Sequence, residues 1–283
     1  MKNTRLFLSA IFCFLTTGII LQSCIQSKQK KIAEITSTEA DTTVYLKSDS
    51  KSSPSCKIHL KYTYLKPAST EDSLSVLINT EIQEKLFGEK MENLSPEALT
   101  SQIVNDYITS YKTDVQKLYE ADIYNGMQEQ DIPAWYNYEY NINTEMSMGK
   151  DSIWNYIITT FQSTGGAHPN TYSQWLNIDA TTGHLLTAED VFRKDAETPI
   201  CNLILKALLK EVNSRMETDT IQSLDDLQEA GILLNTDLYI PENFLIGKNG
   251  ISFLYNRYDI APYATGEFNL TIPYNEIETY LNK

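Results

Sequence analysis

Apolar and polar residues alternate with a period of two in two separate stretches, a pattern that gives a continuous apolar surface only on a β-strand with one buried face. In KIHLKYTYL, Ile58, Leu60, Tyr62 and Tyr64 alternate with Lys57, His59, Lys61 and Thr63. In WYNYEYNINTE, Tyr136, Tyr138, Tyr140 and Ile142 alternate with Asn137, Glu139, Asn141 and Asn143. Between the two the period becomes helical. Ser69 and Asp72 have capping-box spacing ahead of Leu74, Leu77, Ile78, Ile82 and Leu86. Ser95 and Pro96 then open a helix of about six turns carrying Leu99, Ile103, Tyr107, Tyr111, Val115 and Leu118.

The second half repeats this mixture. SIWNYIITTFQS is apolar on both faces, as a central strand is, and YSQWLNID follows as another strand. Thr187 and Asp190 cap a short helix, Thr198 and Pro199 start a third long one bearing Ile200, Leu203, Ile204, Ala207, Leu208 and Val212, and a short acidic helix is expected around Ile221 to Glu229. YIPENFLIG, KNG and ISFLY read as a hairpin, EFNLTIPY as a last strand, and Asn275 with Glu278 as the cap of a terminal helix. Runs of neighbouring strands with helices between them predict an α+β fold, antiparallel sheets packed with three longer helices. Residues 55–170 and 171–283 are its two halves, expected to pack as one unit.

Ahead of this lies a different kind of segment. Lys2 and Arg5 precede an apolar run from Leu6 to Leu21 that ends at Ser23 and Cys24, the pattern of a secretory signal occupying residues 1–23. Leu21-Gln22-Ser23-Cys24 resembles a bacterial lipobox, which implies cleavage before Cys24 and lipidation of its thiol; the alternative is an uncleaved single-span anchor. Residues 24–54, rich in Ser, Thr, Lys, Asp and Glu, are expected to be a flexible tether spanning roughly 30 Å. Lys28, Lys30 and Lys31 behind the anchor favour an outer-membrane lipoprotein facing the periplasm.

The chain has 37 acidic against 23 basic residues and a net charge of -14, which excludes broad contact with phosphate backbones and so nucleic-acid binding. Loss of residues 1–23 takes Lys2 and Arg5 and makes the mature charge -16, a field suited to a basic protein partner or simply to solubility. No GxSxG, P-loop, GxGxxG, HExxH or CxxC pattern occurs, and His59, His168 and His184 lack metal-ligand spacing; no catalytic residue, metal or cofactor is assigned. Glu189-Asp190 and Asp225-Asp226 imitate paired carboxylates but read better as caps and a solvated face, and the Tyr136, Tyr138, Tyr140 stripe as strand packing rather than a sugar platform. Cys56 and Cys201 are the two cysteines of the folded part, and two readings stand: a disulfide, or two separate thiols with Cys201 a small apolar helix residue.

One loop is specified beyond ordinary turn chemistry. Gly165 and Gly166, followed by His168, Pro169 and Asn170 and then Tyr172, form a candidate binding or architectural loop. Gly166 is expected to need positive φ, making Gly166→Val more damaging than His168→Ala.

GGAHPN with YSQWLNIDATTGHLLTAEDVF, and the closing YIPENFLIGKNGISFLYNRYDIAPYATGEFNLTIPYNEIETYL, resemble a family of bacterial envelope domains. Its members include RsiV-type anti-sigma-V ectodomains, which sense lysozyme, and the module preceding PdaC-type deacetylase domains. The resemblance runs from about Lys57 to Leu281 and implies an α+β, non-catalytic module recognising a lysozyme-like protein or a peptidoglycan-related glycan. The chain leaves no room for a sigma-binding segment before its export signal or a deacetylase after Leu281, so those activities are not expected. An envelope enzyme or accessory module acting on peptidoglycan or polysaccharide is the alternative.

Overall fold

The computed structural model describes residues 33–91, 94–128 and 131–282. Residues 1–32, with the expected signal peptide, Cys24 and the start of the tether, lie outside the described residues. The chain runs through β1 (Glu34–Tyr45), β2 (Ser55–Lys66), α1 (Ser73–Phe87), α2 (Pro96–Tyr124), β3 (Tyr138–Met148), β4 (Ile153–Ser163), β5 (Asn170–Asp179) and β6 (Leu185–Leu186). It continues with α3 (Ala188–Val191), α4 (Glu197–Met216), α5 (Leu224–Glu229), β7 (Phe244–Ile246), β8 (Gly250–Tyr255), β9 (Phe268–Pro273) and α6 (Tyr274–Ile277). The fold is α+β, as the periodicities predict.

The first six strands form one sheet in sequence order, antiparallel except for β2 and β3, which α1 and α2 connect as a parallel pair. The alternation in β2 and β3 puts Ile58, Leu60, Tyr62, Ile142 and Met146 on the helix-covered face, where they meet Ile78 and Ile82 of α1 and Leu99, Ile103, Tyr111 and Val115 of α2. Where the parallel ladder ends, side chains take over its hydrogen bonds. Thr63 N donates to Thr144 Oγ1 at 2.6 Å, Thr63 Oγ1 to Thr144 O at 2.7 Å, and Tyr156 Oη to Thr63 O at 2.8 Å.

A second sheet, β7-β8-β9, packs against α4 around Ile200, Ile204, Leu208, Phe244, Phe253 and Phe268. Asparagines join it to the first. Asn177 on β5 is buried, donates to Phe244 O at 2.8 Å and accepts from Ile246 N at 2.8 Å. Ser173 N and Trp175 N, on the stretch of β5 that β6 does not cover, donate to Asn256 Oδ1 and Asn243 Oδ1 at 2.8 and 3.0 Å. Gly149, in the β3–β4 turn, permits the close approach: a Cβ there would collide with Ile246 O of β7.

Several expectations are corrected. The segment read as a tether contains β1, which pairs with β2 along its whole length from Glu34↔Lys66 to Tyr45↔Ser55. Thr36, Thr38, Ala40, Thr42 and Val44 form its half-buried row, and β-branched threonine suits such a polar edge strand without supplying an apolar signal. Asp72, not Ser69, is the N-cap of α1, accepting from Ser75 N. The α2 helix is 29 residues long, about eight turns, because its buried row continues to Tyr119 while Leu118 faces solvent. The α4 helix begins at Glu197, so Thr198 and Pro199 sit in its first turn, where proline forfeits no intrahelical bond. The terminal helix has four residues, and Asn275 lies inside it rather than capping it. Of the two readings left open for Cys56 and Cys201, the structure has the separate thiols: both are free, Cys56 sits in the core of the first sheet, and Cys201 Sγ donates to Leu238 O at 3.7 Å.

Candidate functional site

The loop between β4 and β5 stands where the two sheets meet, and its backbone is held from both sides. Gly165 has φ +80°, and a Cβ on it would lie 2.5 Å from Trp135 O. Gly166 is not at positive φ, and a Cβ on it would make only an ordinary contact, 3.9 Å, with His168 O, so the positive-φ requirement expected of Gly166 belongs to Gly165. On the other side Tyr263 Oη donates to Pro169 O at 2.8 Å. Asn170 has entered β5, paired with Gln162, and Tyr172 lies on the helix-covered face near Tyr107.

His168 is the centre of this arrangement. Its ring stacks on Tyr263 with centroids 3.8 Å apart and an 18° interplanar angle. Nδ1 lies 3.2 Å from Pro169 O and Nε2 3.1 Å from Tyr258 Oη. A carbonyl only accepts, so the neutral ring carries its proton on Nδ1 and receives the Tyr258 hydroxyl at Nε2. The Arg257 guanidinium also lies over the Tyr263 ring, 4.6 Å from its centroid. Two loops distant in sequence therefore build one aromatic and cationic surface. Tyr258 is 60% exposed and Trp135, behind Gly165, 57%.

Beside Tyr258 opens a cleft of ≈ 320 Å³ whose lining includes Leu234, Asn235, Thr236, Asp259 and Pro262. Its walls are joined by Leu233 N donating to Ile260 O at 2.7 Å. Leu233 at φ 59° and Tyr258 at φ 73° are bulky residues in the left-handed region, each costing about 1–3 kcal/mol and held by their surroundings. Desolvation raises the Asp259 carboxyl above its usual range, opposed by the bond it accepts from Asn256 N at 2.7 Å.

The other candidates are structural. Asp190 accepts from Thr187 N at 2.8 Å, and this backbone bond lowers its carboxyl pKa; Asp226 likewise accepts from Gln222 N and Ser223 N. The tyrosine stripe packs on α2, Tyr140 against Tyr107 at 4.1 Å and Tyr138 against Tyr111 at 5.2 Å. His59 is 2.7 Å from Asp41 and His184 3.9 Å from Glu81, so the three histidines stand apart. Among the described residues no three His, Cys, Asp or Glu side chains form a group that could hold a metal, and no helix is long and apolar enough to cross a membrane. Periodicity does not single out Arg257, Tyr258 and Tyr263, which lie in a connection and a short 3-10 turn outside the long elements; their one signal in the sequence is their place in the RYDIAPYATG segment.

The surface's second loop and the whole smaller sheet fall in a recognisable region. Residues 189–275 match the family described as "Protein of unknown function (DUF3298)". The DUF3298 match runs from α3 into α6 and includes Arg257, Tyr258 and Tyr263, while His168 lies outside it. A crystal structure of a DUF3298 family member from Bacteroides fragilis is 27% identical, with a TM-score of 0.79, covering 89% of this chain and 94% of that one. A DUF3298 family protein from Pseudomonas aeruginosa, 14% identical with a TM-score of 0.54 over 88% of this chain and 95% of that one, shares the fold. No curated protein matches the chain.

Proposed function

We propose that this chain is a lipid-anchored, non-catalytic binding domain of the cell envelope, of the RsiV/PdaC type, that recognises a peptidoglycan-related ligand through the surface around His168. The supporting observation is the convergence of His168, Tyr258, Tyr263 and Arg257 from two loops onto one exposed face beside a cleft. Flat rings with polar edges bind by stacking and hydrogen bonding together, at little cost in side-chain entropy. A backbone held at positive φ beneath Tyr258 is a feature that concentrates at ligand sites. Anchoring through Cys24 would place this face in the periplasm at the outer membrane. A lysozyme-like basic protein is the second reading, favoured by the mature charge of -16, which would speed encounter with such a partner.

Co-sedimentation of the purified protein with isolated peptidoglycan sacculi tests the first reading. Wild-type protein is expected to pellet without releasing soluble fragments, and Tyr258→Ala to weaken binding by about tenfold, as loss of an exposed aromatic anchor does. Release of fragments would make the protein an enzyme. Failure to pellet, with binding to lysozyme that weakens as salt rises, would favour the second reading.

A further inference from the structure

The described residues include three arginines, and two of them are fully engaged. Arg193 donates to Asp195 at 3.1 and 2.6 Å and to Thr279 O, and Arg215 to Glu211 at 2.7 Å and to Thr265 O and Glu267 O. Arg257 donates to nothing among them. Its Nε is sealed from solvent with no hydrogen-bond partner, while its guanidinium carbon rests over Tyr263. This occurs in a chain with 37 acidic residues. Asp259, only two positions away, directs its Oδ2 to Asn256 N at 2.7 Å instead. The Nη groups, neither buried nor given an acceptor among the described residues, are the donors left to a ligand, and a guanidinium already oriented by an aromatic face loses little freedom on meeting a planar anion.

We propose that Arg257 is a carboxylate-binding subsite, with Tyr258 beside it supplying an exposed ring face for the adjoining part of the ligand. The inference rests on the reading of this surface as the binding face and names what that face selects: a small ligand carrying a carboxylate next to an apolar or sugar-ring face. The carboxylate takes the two Nη groups in a bidentate pair, the sealed Nε lying out of its reach, and Tyr258 packs on the neighbouring atoms. Within peptidoglycan such a carboxylate occurs at the ends of peptide stems, and on the acidic amino sugar where its stem has been removed, and the two sources need separate probes.

Calorimetric titration of the intact purified protein with N-acetylmuramic acid, N-acetylglucosamine, D-alanyl-D-alanine and the dipeptide's carboxamide distinguishes them. At least one acidic probe is expected to bind ten times more tightly than its uncharged counterpart, and which one does so identifies the source. Arg257→Gln is expected to abolish that difference, and Arg257→Lys to restore only part of it, because an ammonium cannot reproduce the fork. Thermal unfolding shows whether the variants are folded. Should Arg257→Gln fail to fold, the wild-type preference is mapped by amide chemical shifts, with perturbation at 257–263 expected. Equal binding of acidic and uncharged probes, no binding of any, wild-type behaviour of folded Arg257→Gln, or shifts confined elsewhere would each overturn the inference. Protein that pellets with sacculi but ignores the acidic probes would refute the subsite and leave the proposed function standing; the opposite pair of results would do the reverse.

Discussion

Two neighbouring glycines differ more than the sequence around them suggests. Gly165 and Gly166 read alike as a pair, yet Gly165 alone combines φ +80° with a wall, Trp135 O, where a side chain would go. Gly165→Val is therefore expected to destabilise by about 2–4 kcal/mol, through backbone strain and displacement of the Trp135 segment. Gly166→Val, meeting only His168 O at ordinary contact distance, should stay within about 0.5 kcal/mol. Urea denaturation of the two variants checks the order, and a larger loss at Gly166 would reverse it. The presence of a special turn was legible in the sequence. Which glycine carried it was not, because that depends on Trp135, some thirty residues away.

Among elements, the strands and helices with one strongly apolar face were legible, and those stabilised by polar contacts were not. β2, β3, α2 and α4 present continuous apolar rows, whereas β1 is an edge strand of threonine, serine and acids whose ordering comes from backbone pairing with β2. Deleting residues 34–45 should therefore expose the edge of β2 and lower solubility and melting temperature, which a tether's removal would leave unchanged. The joint between the sheets was invisible for the same reason. Asn177, Asn243 and Asn256 look like ordinary polar residues of strands and loops, yet they satisfy backbone groups of the opposite sheet. Asn177→Ala would leave Phe244 O and Ile246 N unpaired in a buried place and is expected to cost about 2–4 kcal/mol, read from chemical denaturation.

At the scale of the whole molecule, burial of phenols governs the response to alkali. Desolvation pushes Tyr62, Tyr107 and Tyr274 up to about 12, Tyr111, Tyr140 and Tyr255 higher still, and Tyr156 well above the usual phenol range. In the unfolded chain tyrosine ionises near pH 10, so above that pH the folded state holds more protons and stability falls as pH rises through about 10 to 12. Ultraviolet titration should show exposed phenols ionising first and the buried group only as the fold is lost. The α+β class was legible because strand and helix periods alternate along the chain. The surface around His168 was legible only in its first loop, since Tyr258, Tyr263 and Arg257 reach it through tertiary folding of a segment nearly ninety residues later. Hydrogen exchange with and without a soluble peptidoglycan digest asks directly whether that surface is the binding face. Protection gathered at 164–169, 231–236 and 257–263 is the expected result, and protection that avoids all three segments, with binding shown in the same sample, would contradict it.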